Sequence, residues 1–387
     1  MKKISNLNPF RPGNGLIPPY LAGRNQDLLL FKKSLDIALS LPQNLVISGL
    51  RGTGKTVFLM NLEEICREKK WLFVRREFNR QFCNEQKFLY ALLTDLVTKV
   101  EGASLVKKVR KKRIGFAVSD EDIINGDFAD KLLSEYKGPL VDRMELILKE
   151  LYSEINKAGF NGLVFLYDEF HFIEDNKVSD NFPLSLLLEA FSHVQQKGLR
   201  YYLVLSGLPT LTGNLVEAKT YAERMFQVRT FKELSPKDSV EAIKQPLRHT
   251  KFNFSEKLID RLVKETGGYP YFIQFYCFHL IDNIPKKDIN KNDFEKIYPF
   301  LLKQLDESFF YGRFTRLSNT EREILSKMLD LPEELEVSEI RKRIKKSRGA
   351  INLLLNNLVE KEILYRVKRG CYSFTLPMFK EFLVRNL

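Results

Sequence analysis

The first 235 residues of the chain alternate short apolar runs with longer segments of helical period. Leu45-Val46-Ile47, Trp71-Leu72-Phe73-Val74, Leu163-Val164-Phe165-Leu166-Tyr167 and Tyr201-Tyr202-Leu203-Val204-Leu205 have the length and composition of buried strands. Between and before them, apolar residues recur at helical spacing. Leu28, Leu29, Phe31, Leu35, Ile37 and Ala38 mark a helix over about 25–39, and Phe88 to Leu93 mark another. Leu140, Met144, Leu146, Ile147, Leu151 and Ile155 mark a third, over about 139–157. Strands that alternate with helices predict an α/β class with a parallel sheet covered on both faces.

After Leu234-Ser235-Pro236 the strand signals stop, and residues 236–305 read as helices only. From Leu317 the rhythm changes again. Helices over 320–330, 337–345 and 348–361 precede two short strands, Ile363 to Val367 and Cys371 to Thr375, joined by a Lys368-Arg369-Gly370 turn, and a final helix follows. Three helices with a hairpin make a winged-helix pattern. The expected organisation is therefore an α/β core over 1–235, a helical lid over 236–309 and a winged-helix domain over 310–387.

The first break between strand and helix carries the chemistry. Gly49-Leu50-Arg51-Gly52-Thr53-Gly54-Lys55-Thr56 matches G-x-x-x-x-G-K-[ST], with an apolar strand before it and Val57-Phe58-Leu59 opening a helix after it. Glycines let backbone N–H groups turn inward around phosphate, and the helix N-terminus adds partial positive charge. Lys55 is placed to reach the β- and γ-phosphates of a nucleoside triphosphate, and the Thr56 hydroxyl to ligate Mg²⁺. Gly49, Arg51, Gly52, Thr53, Gly54 and Val57 complete the expected nucleotide-binding stretch.

Such a loop needs an acid to hold Mg²⁺ and, for hydrolysis, a base for the attacking water. Asp168 and Glu169, at the end of the third apolar run, fit those two roles respectively. Ser206, at the tip of the next strand, is either a group that touches the γ-phosphate or attacking water, or a serine ending the strand before Gly207-Leu208-Pro209. Arg224 is either a finger acting on a neighbouring copy's nucleotide or half of a surface pair with Glu223.

Composition narrows the partners. Hydrophobic residues are 44% and charged residues 29%, ordinary for a globular chain. The N-terminus lacks the apolar stretch of a secretory signal, and no apolar run is long enough to cross a bilayer, so a cytoplasmic location is expected. The four cysteines form no C-x-x-C pair and the four histidines are scattered, which argues against structural zinc and disulfides. A net charge of +13 favours a polyanion or an anionic membrane surface, and does not choose between them.

The charge is concentrated. Residues 310–387 hold sixteen Lys/Arg against ten Asp/Glu. Arg341, Lys342, Arg343, Lys345, Lys346 and Arg348 cluster at the start of the helix that would read DNA, with Lys368 and Arg369 at the wing tip. Both groups could clamp duplex phosphates, with Asn352 and Asn356 facing base edges; the other reading is a protein-binding module with a solvated basic face. A second basic run, 107–113, followed by a strand-like Ile114 to Val118, serves a nucleic acid, a partner or only solvent.

In order, these features are a P-loop, an Asp-Glu strand, a serine-ended strand, an arginine, a helical lid and a winged helix. That order resembles the AAA+ ATPases of the origin-recognition and replication-initiator type, and more closely their bacterial and archaeal relatives known only as ATP-binding proteins. The opening Asn8-Pro9-Phe10 and Pro18-Pro19-Tyr20-Leu21-Ala22-Gly23-Arg24 are similar to the segment those proteins lay over adenine, which implies nucleotide contacts at Pro19 and Tyr20. The resemblance also implies a lid arginine (sensor 2) at the γ-phosphate. At the matching place this chain has Thr266-Gly267-Gly268-Tyr269-Pro270-Tyr271 and no arginine. That stretch is similar to the Gly-x-Pro turn of the signal-transducing STAND ATPases, whose proline packs near the base, and it implies Pro270 in that role.

The expected function is an ATPase, slow and acting as a nucleotide-dependent switch, that binds ATP with Mg²⁺ and duplex DNA and assembles with copies of itself. The alternative is a STAND-like signalling or defence ATPase whose winged helix and basic patches hold a partner protein.

Overall fold

A computed structural model describes residues 7–13, 15–38, 44–99, 132–344 and 346–387. The basic run 107–113, the strand-like stretch 114–118 and Lys345 lie outside the described residues.

The apolar runs become β1 (Leu45–Gly49), β2 (Leu72–Glu77), β3 (Leu163–Asp168) and β4 (Tyr201–Gly207). A further strand, β5 (Gln227–Phe231), completes a five-stranded sheet in the order β2-β3-β4-β1-β5, and every pairing in it is parallel. The three central strands β1, β3 and β4 are buried along their whole length. Runs of Val, Ile, Leu and Tyr suit that setting, because helices cover both faces of a parallel sheet. β5 was not visible in the sequence because it is an edge strand. Gln227, Val228 and Thr230 face solvent, and only Phe231 is buried.

Two apolar clusters cover the two faces. One joins the helices Glu85–Lys99, Leu140–Lys157 and Pro183–Gln196 to Phe165 and Tyr167 of β3. The other packs helices Asn25–Ile37 and Lys55–Glu68 against Ile47, Val164 and Val204. The first helix thus lies where the 25–39 periodicity put it.

The helices that follow include Pro236–Leu247, Glu256–Thr266, Pro270–Asn283 and Lys291–Leu305. The strands do not stop entirely, since two-residue strands Asn253–Phe254 (β6) and Asp288–Ile289 (β7) pair in parallel beside these helices. Such short segments carry no periodicity to detect. Beyond Leu317 come helices Asn319–Met328, Val337–Arg343 and Arg348–Glu360, then β9 (Leu364–Lys368), β10 (Cys371–Phe374) and a last helix, Phe379–Asn386. A short β8 (Leu335–Glu336) adds to the hairpin, giving the order β8-β10-β9. Ser318 and Glu321 form a reciprocal capping box that starts the first of these helices. One continuous apolar cluster runs from Leu258 and Phe272 through Leu305 and Phe310 to Phe379 and Phe382. Residues 236–309 and 310–387 therefore share a core.

A polar joint locks the first face. Arg76 of β2 donates to both carboxylate oxygens of Asp95, with Nη2 to Oδ1 at 2.6 Å and Nε to Oδ2 at 2.9 Å, and the Tyr167 hydroxyl donates to Asp95 Oδ2 at 3.0 Å. The forked geometry makes this pair stronger than a surface bridge. Asp95→Ala leaves Arg76 and the fully buried Tyr167 hydroxyl without that acceptor, and is expected to lower unfolding free energy by about 3 kcal/mol in a urea titration. A change below about 0.5 kcal/mol would show the joint to be dispensable.

Candidate nucleotide site

The carboxyl ends of parallel strands are where open α/β sheets bind ligands, and a cavity of about 430 Å³ opens there. Its floor is the loop after β1. Gly52 has φ +81° and Gly54, the N-cap of helix Lys55–Glu68, has φ +89°. Both lie in the left-handed region that favours glycine, which is the physical reason for glycines at these two places. Arg51, Gly52, Thr53, Gly54, Lys55, Thr56 and Val57 all line the cavity. Gly49 does not; it sits under Phe231 of β5, whose carbonyl oxygen would lie 2.4 Å from an added Cβ. Its contribution is close packing.

Asp168 ties three elements together. Its Oδ2 accepts from Thr56 Oγ1 at 2.6 Å, and its Oδ1 accepts from Ser206 Oγ at 2.8 Å and from the Glu169 backbone N–H at 2.9 Å. Ser206 is fully buried and its hydroxyl is directed at Asp168. A carboxylate and a hydroxyl in direct contact are two hard oxygen donors side by side, a set that suits Mg²⁺, which prefers oxygen ligands and keeps several waters. Among the described residues there is no group of three or more His, Cys, Asp or Glu of the kind an all-protein metal cage uses.

Lys55 is 6% exposed and donates to the carbonyls of Gly49 and Leu50, both at 2.9 Å. Burial lowers its pKa, while Glu169 and Asp168 nearby favour the charged form. Glu169 has φ +51° and turns its side chain towards Arg51, at 3.4 Å, and His171 Nδ1, at 3.3 Å. Burial raises the Glu169 pKa and outweighs the opposing charges of Arg51 and Lys55. Its Oε2 has no hydrogen-bond partner among the described residues, and neither ring nitrogen of His171 has one.

The roof comes from far along the chain. Arg11, Pro12, Gly13, Gly15, Leu16, Pro18 and Tyr20 line it from the N-terminal segment. That segment lies along helix Pro270–Asn283, where Asn8 Nδ2 donates to the Phe278 carbonyl at 2.8 Å and the Arg11 N–H to Gln274 Oε1 at 3.0 Å. The segment expected over a base is thus present, with one shift: Pro18 and Tyr20 face the cavity, and the intervening Pro19 is not part of its wall. Pro270 opens its helix at the N1 position, where the missing N–H costs nothing, and also lines the cavity with Tyr271. The Tyr271 N–H donates to the Gly52 carbonyl at 3.3 Å, so the lid touches the P-loop directly.

Arg51 was expected in the nucleotide-binding stretch but not as an ion-pair partner, and Arg24 and Arg313 were given no role in the sequence. Arg51 pairs at 2.8 Å with Glu362, from the turn after helix Arg348–Glu360. Arg313 lines the cavity although no arginine occupies 266–271. Arg24 Nη2 donates to the Lys232 carbonyl at 2.8 Å and to the Thr53 carbonyl at 3.3 Å, with its guanidinium 4.0 Å over the Phe231 ring. Nothing local marks Arg24 or Arg313, which only the fold brings to the loop, or the pairing of Arg51 with Glu362. His171 had a signal, three residues after Asp168, that was not used.

Other sequence candidates lie elsewhere. Arg224 is exposed on the short helix Ala222–Met225, outside the cavity, and no ion pair with Glu223 occurs among the described residues. Arg341, Lys342, Lys346, Arg348, Lys368 and Arg369 are all exposed. Lys342 pairs with Glu339 at 2.6 Å. On helix Arg348–Glu360, Asn352 and Asn356 are exposed, and Asn356 accepts from Arg366 at 3.2 Å.

The whole arrangement matches known structures. The chain superposes on a Walker-type ATPase of Pyrococcus abyssi with a TM-score of 0.55 at 16% identity, covering 94% of this chain and 96% of that one. It superposes on the ORC2 protein of Aeropyrum pernix, solved as ADPNP–ADP complexes, with a TM-score of 0.52 at 14% identity, covering 96% of each chain. The chain has the fold of these two proteins. In sequence, an uncharacterized HTH-type transcriptional regulator of Methanocaldococcus jannaschii is 24% identical over 377 residues, covering 94% of this chain and 88% of the relative. A family profile described as a domain of unknown function (DUF8462) matches residues 307–383. No described helix is long and apolar enough to cross a membrane.

His171 supplies a test of the site's electrostatics. Burial first, then the charges of Arg51, Lys55 and Arg80, push its pKa down to about 3. The unfolded chain takes up a proton near pH 6.5 and the folded one does not, so His171 contributes stability that is lost as pH falls from 6.5 towards 3. Between pH 7 and pH 5 the parent should lose about 2 kcal/mol more than His171→Gln in chemical denaturation. Equal losses would mean that the imidazole is not held neutral by its surroundings.

Proposed function

We propose that this chain is an ATP-binding and hydrolysing AAA+ ATPase that works as a slow nucleotide-dependent switch and binds duplex DNA through a C-terminal winged helix. The observation that carries the nucleotide reading is the contact of Thr56 with Asp168 at 2.6 Å, beside a loop of inward-turned glycines at the mouth of a 430 Å³ cavity. In this reading the backbone N–H groups of the glycine loop and the helix N-terminus hold the phosphates. Lys55 exchanges its two carbonyl acceptors for phosphate oxygens. Thr56 and Asp168 hold Mg²⁺, which when bound would offset phosphate charge. Ser206 fixes the Asp168 carboxylate through its other oxygen.

Glu169 is the base for the attacking water. Burial raises its pKa, which makes it a better proton acceptor, and its Oε2, without a hydrogen-bond partner among the described residues, is the atom that would accept the proton. The ion pair with Arg51 holds the same carboxylate, so hydrolysis requires Arg51 to shift. That supports a switch more than a fast motor. Arg51 also holds Glu362, so a change at the phosphates would be felt by the C-terminal unit. Pro18, Tyr20 and Pro270 surround the adenine end, and exposed Arg224 stands ready for a neighbouring copy's nucleotide.

The order of helices with β8, β10 and β9 supports the winged-helix reading, in which Arg348–Glu360 would be the recognition helix. The exposed Arg341, Lys342, Lys346, Arg348, Lys368 and Arg369, with Lys345, would contact phosphates. The similarity to an HTH-type regulator supports the same surface. The Arg51–Glu362 pair is also what a STAND-like signalling switch would use, with a protein in place of DNA on the basic face.

Lys55→Ala is expected to abolish binding of a fluorescent ATP analogue; retained affinity would sink the nucleotide reading. Changing Arg341, Lys342, Lys346 and Arg348 to alanine should weaken duplex binding uniformly over sequences and flatten the log affinity against log salt slope by roughly 3 to 4. A parent protein with no salt-dependent duplex binding would favour the protein-partner reading.

A further inference from the structure

We propose that Arg313 is a phosphate ligand of this site, supplying from the junction with the C-terminal unit the cation that residues 266–271 lack. The inference rests on the nucleotide reading above. Helix Lys291–Leu305 does not run straight into the short helix Tyr311–Phe314; a π-helical turn, Asp306–Phe310, joins them. Such wide turns are rare and concentrate at functional sites, because they insert a residue and re-aim the face that follows. Here Phe309 and Arg313, four apart, both line the cavity. Phe309 is fixed by stacking on Tyr271, with ring centroids 4.7 Å apart and planes at 27°, and Tyr271 is itself bonded to Gly52 of the P-loop. Arg313 is thereby delivered towards the phosphate end of the cavity, with Arg51 and Lys55.

Its electrostatic situation calls for an anion. Among the described residues no carboxylate comes within ion-pairing distance of Arg313. The one hydrogen bond it makes is a long 3.5 Å contact to the Phe309 carbonyl in its own turn. Arg51, which does have two carboxylates, stands close enough that its charge works against that of Arg313, adding to the effect of burial. Glu362 and Glu169 offset part of this from beyond ion-pairing distance, but both already pair with Arg51; a triphosphate between the two guanidinium groups removes their repulsion and provides forked acceptors. Because Arg313 precedes helix Asn319–Met328 and shares its apolar cluster through Phe314, this contact joins the nucleotide to the C-terminal unit by a second route besides Glu362.

The test uses the full chain and compares ATP, ADP and AMP, each with Mg²⁺, by calorimetry on the parent, Arg313→Gln and Arg313→Lys. A charged hydrogen bond to phosphate lost in Arg313→Gln should weaken ATP roughly tenfold or more, with AMP changed less than about threefold and Arg313→Lys intermediate. Equal weakening of ATP and AMP, or no weakening, overturns the assignment. A parent that binds none of the three nucleotides overturns the nucleotide reading itself, and is thereby distinguished from failure at Arg313. If Arg313→Gln does not fold, Arg313→Lys decides alone, since it keeps the charge and loses only the fork: an unchanged ratio of ATP to AMP affinity overturns the proposal.

Discussion

The structure is organised on the carboxylate of Asp168. One oxygen takes the Thr56 hydroxyl from the P-loop helix, and the other takes Ser206 from β4 and the N–H of Glu169. Three pieces of chain are held at one point at the carboxyl end of the sheet. A carboxylate nearly excluded from water must have its oxygens satisfied, and that requirement fixes the ends of β3 and β4 relative to the glycine loop. The cavity beside it inherits its shape from this junction.

Around the junction the charges are deliberately unbalanced. Lys55, Arg51 and Arg313 converge on the cavity, and the acids that face them, Glu169 and Glu362, come from opposite ends of the fold. Glu169 follows the end of β3, beside the loop, and Glu362 belongs to the C-terminal unit. The guanidinium of Arg51 therefore connects the loop to the C-terminal unit. The lid reinforces the connection through apolar packing, since it shares one core with the C-terminal unit. Motion of one without the other would expose that core, so the two are expected to respond together to whatever fills the cavity.

Much of this was legible in the residues. Continuous apolar runs located β1, β3 and β4, because strands buried on both faces have no polar positions to interrupt them; β2, at the sheet edge, was located by its apolar start, Leu72-Phe73-Val74, alone. The glycine loop was legible because left-handed backbone at residues 52 and 54 leaves few alternatives to glycine. What escaped were elements without a local signature. β5 is an edge strand with polar, exposed positions, and β6 and β7 are two residues long. Pro19 was read one place away from the residues that face the cavity, since a segment held by Asn8 and the Arg11 N–H has no period from which to read orientation. No arginine stands at 266–271, where the resemblance implies one; Arg313 lines the cavity with Arg11, Arg24 and Arg51, and follows a π-turn that no composition announces.

The sequence by itself determined the class of sheet, the glycine loop, the acids at the end of β3 and the basic character of the last fifth of the chain. These depend on steric limits of the backbone, on the burial of apolar side chains and on total charge, all of which are carried by neighbouring residues. Only the tertiary structure decided that Ser206 serves Asp168, that Arg51 is shared between Glu169 and Glu362, and that Arg313 faces the same cavity as Lys55. Ion pairs and hydrogen bonds act over a few ångströms between residues separated by tens to hundreds of positions. Which of the chain's 62 basic residues meets which acid is therefore set by the packing of helices and strands.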